Sequence, residues 1–245
     1  MAPAHGFFLE HSIEREMSYS MRSARRWLDI IATIEKTKIH GKCLDIGTSP
    51  FTFALKNLNL FMDLETLDYT NAFQERCTMQ GIQLHVGGDN WEENTHLPDD
   101  YYDCIIFLEV IEHMHVNPEQ ILLFLKKKLR NGGHLIMSTP NLMCFGNRIK
   151  MLFNKKLSQF SYPAFSNNEH SAHGHKHDRV FMPSEMKEYL NNTGWKSFTV
   201  GYHSIEVADD DKSGSRIKRI LRAPVRMLKH IDPSMRQTML IIANK

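Results

Sequence analysis

Acidic residues close four apolar segments of the sequence, and their types and spacing are typical of a site that binds a nucleoside. Asp45, Asp68, Asp89 and Glu109 each follow a short run of strand-forming residues. In a parallel sheet the carboxyl ends of the strands lie at one edge, and ligands bind beyond that edge. We therefore expect these four side chains to converge on one crevice.

The turn after the first segment indicates which kind of nucleoside would bind. Its sequence, CLDIGTSPFTFAL, contains Gly47, but Thr48 and Ser49 stand where a dinucleotide-binding loop would carry more glycines. Pyrophosphate oxygens need close backbone approach at a helix start, so the missing glycines argue against a dinucleotide. Asp68 stands about twenty residues further on, where a carboxylate can accept hydrogen bonds from both ribose hydroxyls. The pattern favours a nucleoside without phosphates.

A third segment, GGDNWEE at residues 87–93, supplies candidate contacts for the base. Asp89 can accept a hydrogen bond from the amino group of adenine. Trp91 can lie against the ring as an apolar neighbour.

A second cluster of chemically useful residues follows the fourth apolar segment. The sequence EVIEHM places Glu109, Glu112 and His113 within one helical turn. Two carboxylates and an imidazole can hold a divalent cation or supply a base. The segment NEHSAHGHKHDRVF contains four further histidines, including His177, that could join them. The alternative is that Glu112 and His113 only orient the strand end, and that the histidine-rich segment is a solvated loop.

The composition is ordinary for a soluble globular protein. The 245 residues are 42% hydrophobic and 24% charged, and the net charge of +2 gives no global attraction to nucleic acid. We expect no signal peptide, and no run of about 18 apolar residues is present to form a membrane-spanning helix. The four cysteines lack CxxC spacing, so we expect them to be reduced and structural. A cytoplasmic location follows from these expectations.

Strand-like segments alternate with helical patterns along most of the chain, which predicts a parallel sheet covered on both faces. The predicted strands lie at residues 42–47, 64–69, 82–88, 102–110, 133–140, 195–204 and 237–245. The predicted helices lie within residues 9–38, 118–133 and 183–194, with Ser184 as a candidate cap. Residues 141–182 are too long for a plain connection, which favours an insert that covers the acceptor.

In order and spacing these motifs resemble the class I S-adenosylmethionine-dependent methyltransferases. The similarity is greatest to the branch of ubiquinone-pathway O-methyltransferases and glycan-modifying relatives. The matching text is CLDIGTSPFTFAL, LDYT, GGDNWEENTHLPDDYYDCIIFLEVIEHM, LKKKLRNGGHLIMSTPN and HDRVFMPSEMKEYLNNTGW. The resemblance implies an α/β, Rossmann-like fold with a seven-stranded, mostly parallel sheet, helices on both faces and an antiparallel last strand. It implies a single domain over residues 1–245, with N-terminal helices at 9–38 that gate the cofactor and the insert at 141–182.

The resemblance also implies S-adenosyl-L-methionine as the cofactor and assigns residues to it. Asp45 and Gly47, with Thr48, would lie beside the methionine part, Asp68 would hold the ribose, and Asp89 with its neighbours would meet adenine. The full cofactor set is Asp45, Gly47, Thr48, Asp68, Tyr69, Asp89, Asn90, Trp91 and Glu109. The chain departs from the family in its turn, which carries one glycine where two or three are usual.

The same resemblance implies roles for the second cluster, with His113, Glu112 and His177 as catalytic candidates. Small-RNA 2′-O-methyltransferases have a similar ExxEH pattern whose residues bind a metal. By matching position, Glu109, Glu112, His113 and His177 would be ligands of a divalent metal ion. The preferred function is O-methylation of a small molecule or glycan. Its alternatives are a metal-dependent RNA ribose 2′-O-methyltransferase, which ranks lower, and a non-catalytic partner subunit with the same fold.

A basic segment near the end of the chain suggests one more contact. Residues 215–230, SRIKRILRAPVRMLKH, combine an apolar stripe with seven basic residues, and GNRIKMLFNKK at 146–156 is similar. Such helices lie on anionic membranes or bind phosphates. The alternative is a solvated helix whose apolar stripe packs on the sheet. A peripheral membrane contact through residues 215–230 is therefore one of two interpretations of this segment.

Overall fold

The strands form because their apolar residues are buried on both faces of one sheet. The computed structural model describes residues 23–24, 26–87, 96–157, 179–203 and 227–245. Within them the strands are β1 (Lys42–Ile46), β2 (Asp63–Asp68), β3 (Gln83–Val86), β4 (Tyr102–Leu108), β5 (Leu129–Pro140), β6 (Ser197–His203) and β7 (Thr238–Asn244). Their order in the sheet is β3-β2-β1-β4-β5-β7-β6. The first five are parallel, and β7 is antiparallel to β5 and β6.

The helices cover both faces of this sheet. They are α1 (residues 26–37), α2 (Pro50–Asn57), α3 (Gln74–Met79), α4 (Pro118–Lys128), α5 (Phe145–Leu152), α6 (Pro183–Asn192) and α7 (residues 227–231). Buried residues of α1, α2 and α3 form one apolar cluster, and those of α4 and α6 form the other. The predicted Rossmann-like fold, with its mostly parallel seven-stranded sheet and antiparallel last strand, is therefore confirmed.

Two local predictions differ from the structure. Helix α4 ends at Lys128 and β5 begins at Leu129, whereas the sequence pattern extended the helix towards residue 133. Leu129 is buried and pairs with Tyr102, so its burial in the sheet ends the helix early. Helix α6 is capped by Glu185, whose carboxylate accepts the backbone N–H of Met182 at 2.8 Å, and not by Ser184.

The cysteines agree with expectation where the structure describes them. All four cysteines are unpaired and buried. In the described ranges, no helix is both long and apolar enough to cross a bilayer. The insert is described up to residue 157 and again from residue 179, and its role as an acceptor cover stays a prediction, as does gating by residues 9–38.

Candidate functional site

The turn between β1 and α2 brings the backbone close to the end of β4. Gly47 has a φ of +90°, a conformation that favours glycine. A Cβ atom at this position would lie only 2.8 Å from Cγ2 of Val110, so a larger residue would also clash. The Gly47 N–H donates to the carbonyl of Leu67 at 2.9 Å. The single glycine that remains in this turn is therefore required by both conformation and space.

Asp68 ends β2 and binds the same turn. Its Oδ2 accepts the backbone N–H of Thr48 at 2.9 Å, and its Oδ1 accepts the backbone N–H of Thr70 at 3.1 Å. Burial raises the pKa of Asp68, while these hydrogen bonds oppose the rise. Further hydrogen bonds from the Thr48 side chain and the Tyr69 backbone also lower the pKa, so a ligand would share the carboxylate with these groups. Tyr69, the next residue, is 80% exposed beside it.

The hydroxyls that replace the family's glycines order the turn internally. Thr48 Oγ1 lies 2.9 Å from Oγ1 of Thr66, which in turn donates to the carbonyl of Asp45. Ser49 caps α2, since its Oγ accepts the backbone N–H of Phe51 at 3.2 Å. The backbone of this turn, more than its hydroxyls, therefore faces any ligand.

Asp45 lies beneath the turn and is only 2% exposed. Thr52 Oγ1 donates to its Oδ2 at 2.5 Å. Burial raises the pKa of Asp45 to about 7, against the Thr52 hydrogen bond, and the charge of Asp68 raises it further. The pKa of this carboxyl group therefore lies close to neutral pH.

Glu109 follows β4 and is held in a left-handed conformation, with a φ of +55°. Its Oε1 accepts a hydrogen bond from Ser138 Oγ at 2.8 Å. Its Oε2 forms an ion pair with Arg26 Nη1 at 3.2 Å, and Arg26 is 7% exposed. This pair joins α1 to the site, and the sequence prediction did not include Arg26. Arg26 could have been identified from its helical spacing, because it lies on the same side of the helix as the buried residues Ile30 and Ile34.

Glu112 lies in a short 3-10 turn, Ile111–His113, and is fully buried. Its Oε2 accepts a hydrogen bond from Thr139 Oγ1 at 3.0 Å, while its Oε1 makes no hydrogen bond within the described ranges. Burial raises the pKa of Glu112 well above its ordinary value, and the charge of Glu109 adds to the rise. His113 follows it and is partly exposed.

The described part of the predicted metal site fits a divalent ion poorly. Both oxygens of Glu109 already have partners, and one partner is the Arg26 guanidinium, whose positive charge would repel a cation. Among the residues that the structure describes, no three His, Cys, Asp or Glu side chains group as metal ligands. His177 lies outside those residues, so the set of Glu109, Glu112, His113 and His177 stays a prediction.

Most of the predicted site residues meet at the carboxyl edge of the strands. Asp45 lies in β1, Gly47 and Thr48 lie in the turn from β1 to α2, and Asp68 at the end of β2 binds this turn. Gly47 packs against Val110, the neighbour of Glu109. Asp89, Asn90, Trp91 and His177 lie outside the described residues. Three of the four strand-closing acids are thus placed at one edge, as the sequence predicted.

The match to a known family identifies the kind of protein that has these residues at the carboxyl edge of its sheet. A sequence model described as a methyltransferase domain matches residues 15–199, which is more than half of the chain. The chain belongs to this methyltransferase family. No curated protein sequence matches the methyltransferase.

Solved structures show the same fold at low sequence identity. A SAM-dependent methyltransferase from Archaeoglobus fulgidus has a TM-score of 0.55 and 15% identity, over 93% of this chain and 99% of that one. One from Thermotoga maritima, described as a possible histamine N-methyltransferase, has a TM-score of 0.58 and 15% identity, over 96% and 97%. A putative methyltransferase of Haloferax volcanii, solved with the Trm112 methyltransferase activator, has a TM-score of 0.59 and 14% identity, over 94% and 93%.

Family and fold together confirm the prediction of a class I, S-adenosylmethionine-dependent methyltransferase. They do not single out the ubiquinone-pathway or glycan branch, which stays a prediction.

The raised pKa of Asp45 predicts how the substitution Asp45→Asn changes stability with pH. The pKa of this group is about 7 in the folded chain against an ordinary 3.8, so ionisation opposes folding. The free energy of unfolding of the unmodified chain should therefore fall, relative to the variant, as pH rises from about 4 to about 7. The relative change should approach about 4 kcal/mol. Denaturant unfolding across this range measures it.

Asp63→Asn is the matched control, because Asp63 is an exposed aspartate at the start of the neighbouring strand β2. Parallel stability curves for the Asp45→Asn variant and the unmodified chain would contradict the assigned pKa.

The buried ion pair predicts the effect of removing Arg26. Arg26→Ala leaves Glu109 and Glu112 without their neighbouring cation, and loss of one partner of a buried pair costs about 3 kcal/mol of unfolding free energy. The double variant Arg26→Ala/Glu109→Gln should lose less than the sum of the two single variants, by at least about 1 kcal/mol. Additive losses in urea unfolding would show that the two side chains do not interact.

Proposed function

We propose that the chain transfers the methyl group of S-adenosylmethionine to a hydroxyl oxygen of a small molecule or a glycan-type acceptor. The observation that carries the proposal is the Asp68 carboxylate, which two backbone N–H groups hold in place beside the Gly47 turn. A carboxylate at the end of the second strand suits the paired hydroxyls of a ribose. When bound, the cofactor supplies an electrophilic methyl group on a sulfonium.

The rest of the cofactor would lie along the same edge. Tyr69 is exposed beside Asp68 and can cover the ribose. Asp45 and the backbone around Gly47 and Thr48 would border the methionine part, with Asp89, Asn90 and Trp91 at the adenine. A phosphoethanolamine N-methyltransferase of Haemonchus contortus was solved with S-adenosyl-L-methionine, and its shared fold supports the cofactor part of the proposal. Its TM-score is 0.54 at 11% identity, over 89% of this chain and 52% of that one.

The choice of a hydroxyl acceptor depends on the two glutamates. A hydroxyl must lose a proton as it attacks, whereas a neutral amine is already nucleophilic. Glu109 is balanced by Arg26, whereas Oε1 of the buried Glu112 has no partner in the described ranges, so an acceptor hydroxyl that reached it would find an unused acceptor. Ser138 and Thr139, adjacent on β5, fix the two carboxylates. We assign proton acceptance to Glu112, with His113 and His177 as further candidates.

The expected compartment of this reaction is the cytoplasm. The absence of disulfides among the four cysteines supports it, because free buried thiols are typical of reducing compartments.

Removal of the Asp68 carboxylate should weaken cofactor binding. Calorimetric titration with S-adenosylhomocysteine should show binding to the unmodified chain and about 10- to 100-fold weaker binding to the Asp68→Ala variant, since hydrogen bonds to a charged group are lost. Asp63→Ala, at the other end of the same strand, should bind as the unmodified chain does.

Asp68→Ala also removes the anchors of Thr48 and Thr70, so its thermal unfolding is measured beside the titration. A folded Asp68→Ala variant that binds with unchanged affinity would contradict the assignment, and so would an unmodified chain that does not bind.

The hydroxyl proposal predicts the behaviour of Glu112→Gln. With tritiated methyl donor and a panel of hydroxyl, amine and RNA acceptors, label should enter a hydroxyl compound, and Glu112→Gln should lower kcat about 100-fold or more. Its affinity for S-adenosylhomocysteine should not change. Glu188→Gln, on the exposed side of α6, is the matched control.

Label that enters only amines, or kcat unchanged in the Glu112→Gln variant, would overturn the assignment of Glu112. Label in RNA that is lost to a chelator and restored by a divalent metal would favour the predicted metal site instead.

A further inference from the structure

Helix α5 presents its apolar stripe to the outside and its polar side to the protein. Asn147 is its buried residue, and its Nδ2 donates to the carbonyl of Leu142 at 3.0 Å. On the opposite side of the helix lie Ile149 and Leu152, continued by Phe153, and the last two are 75% and 65% exposed. A helix that serves only to cover a core has the reverse arrangement.

Helix α7 exposes a second apolar group on the same side of the molecule. Met227 and Ile231, one helical turn apart, are 66% and 69% exposed. Arg148 joins the two helices, because it donates to Oγ of Ser234 at 2.8 Å and lies 3.5 Å from Asp232, the residue after α7.

We call these exposed side chains the apolar patch: Ile149, Leu152, Phe153, Met227 and Ile231. A cluster of large exposed apolar side chains of this kind marks an interaction surface.

The segments that bear the apolar patch adjoin the same edge of the sheet as the candidate site. Asn141 directly follows β5, and its Nδ2 donates to the carbonyls of Ser234 and Arg236 at 2.7 and 2.8 Å. Ser138, three residues earlier, holds Glu109. A surface on which the apolar patch docked would therefore face the side where an acceptor enters.

The described residues around the apolar patch are mostly positively charged, and the acid beside it, Asp232, is paired with Arg148. Residues 145–157 and 227–231 contain no Asp or Glu, and Lys155 and Lys156, which follow α5, are exposed. Exposed apolar side chains among lysines are complementary to an anionic lipid surface, where the side chains enter the headgroup boundary and the lysines face phosphates. A second copy of the chain docked on its own patch would bring like charges together, which disfavours self-association.

We propose that the apolar patch docks the protein on an anionic lipid surface. Residues 227–230 are the described part of the basic segment 215–230, and α5 supplies the second half of the contact. Docking does not depend on the identity of the reaction; combined with the proposed function, it places a lipid-borne hydroxyl within reach of the acceptor edge.

Vesicle co-sedimentation of the full chain tests the proposal. Vesicles of phosphatidylcholine mixed with phosphatidylglycerol should bind the protein, vesicles of phosphatidylcholine alone should bind it weakly, and added salt should release it. The variant Leu152→Asp/Phe153→Asp should show a partition coefficient lower by about tenfold or more, since two apolar side chains leave the boundary.

The control is Leu58→Asp/Met62→Asp, which changes two exposed apolar residues at the opposite, amino edge of the strands. It should bind vesicles as the unmodified chain does. Thermal unfolding and S-adenosylhomocysteine binding, measured on both variants, separate loss of docking from loss of fold and from failure of the proposed function.

Equal binding to both kinds of vesicle, no binding to either, or full binding by the Leu152→Asp/Phe153→Asp variant would overturn the proposal. A concentration-dependent dimer in light scattering that the same variant abolishes would assign the apolar patch to a second copy instead, and would also overturn it.

Discussion

The hydrogen bond from the Thr48 N–H to the Asp68 carboxylate joins the ends of β1 and β2, and the geometry of the site depends on it. It holds the turn against β2, while Gly47 packs against Val110 at the end of β4. Three strand ends are thereby fixed relative to one another without the usual run of glycines. Because Asp68 is buried and anchored from two sides, its carboxylate can bind a ligand with little further ordering.

The negative charges of the acids at this edge repel one another, and a cationic ligand would reduce this repulsion. Burial is the main cause of the raised pKa values of Asp45 and Glu112, and the charges of Asp68 and Glu109 add to the rise. Arg26 compensates part of this charge from α1, which explains why an arginine occupies a core position of that helix. A sulfonium placed among these carboxylates would relieve the repulsion that remains, because an opposite charge nearby favours the ionised form.

Much of the fold could be predicted from the sequence, because apolar runs that end in an acidic residue and a turn recur along the chain. All seven strands overlap predicted apolar runs, although β5 begins before its run, and three of the four predicted acids lie at one edge. The start of β5 was missed because helical spacing continues through Leu129, and only pairing with Tyr102 ends the helix. Arg26 was missed because its partner, Glu109, is distant in the sequence. The outward stripe of α5 could not be predicted, since periodicity does not tell which side of a helix faces the core.

The most direct measurement is a crystal structure of the chain grown with an excess of S-adenosylhomocysteine. We predict that the adenosyl group lies at the carboxyl edge of β1 and β2. Both ribose hydroxyls should lie within hydrogen-bonding distance of Asp68, and the sulfur should lie beside the Gly47 turn. A vacant crevice, or a ribose bound away from Asp68, would contradict it.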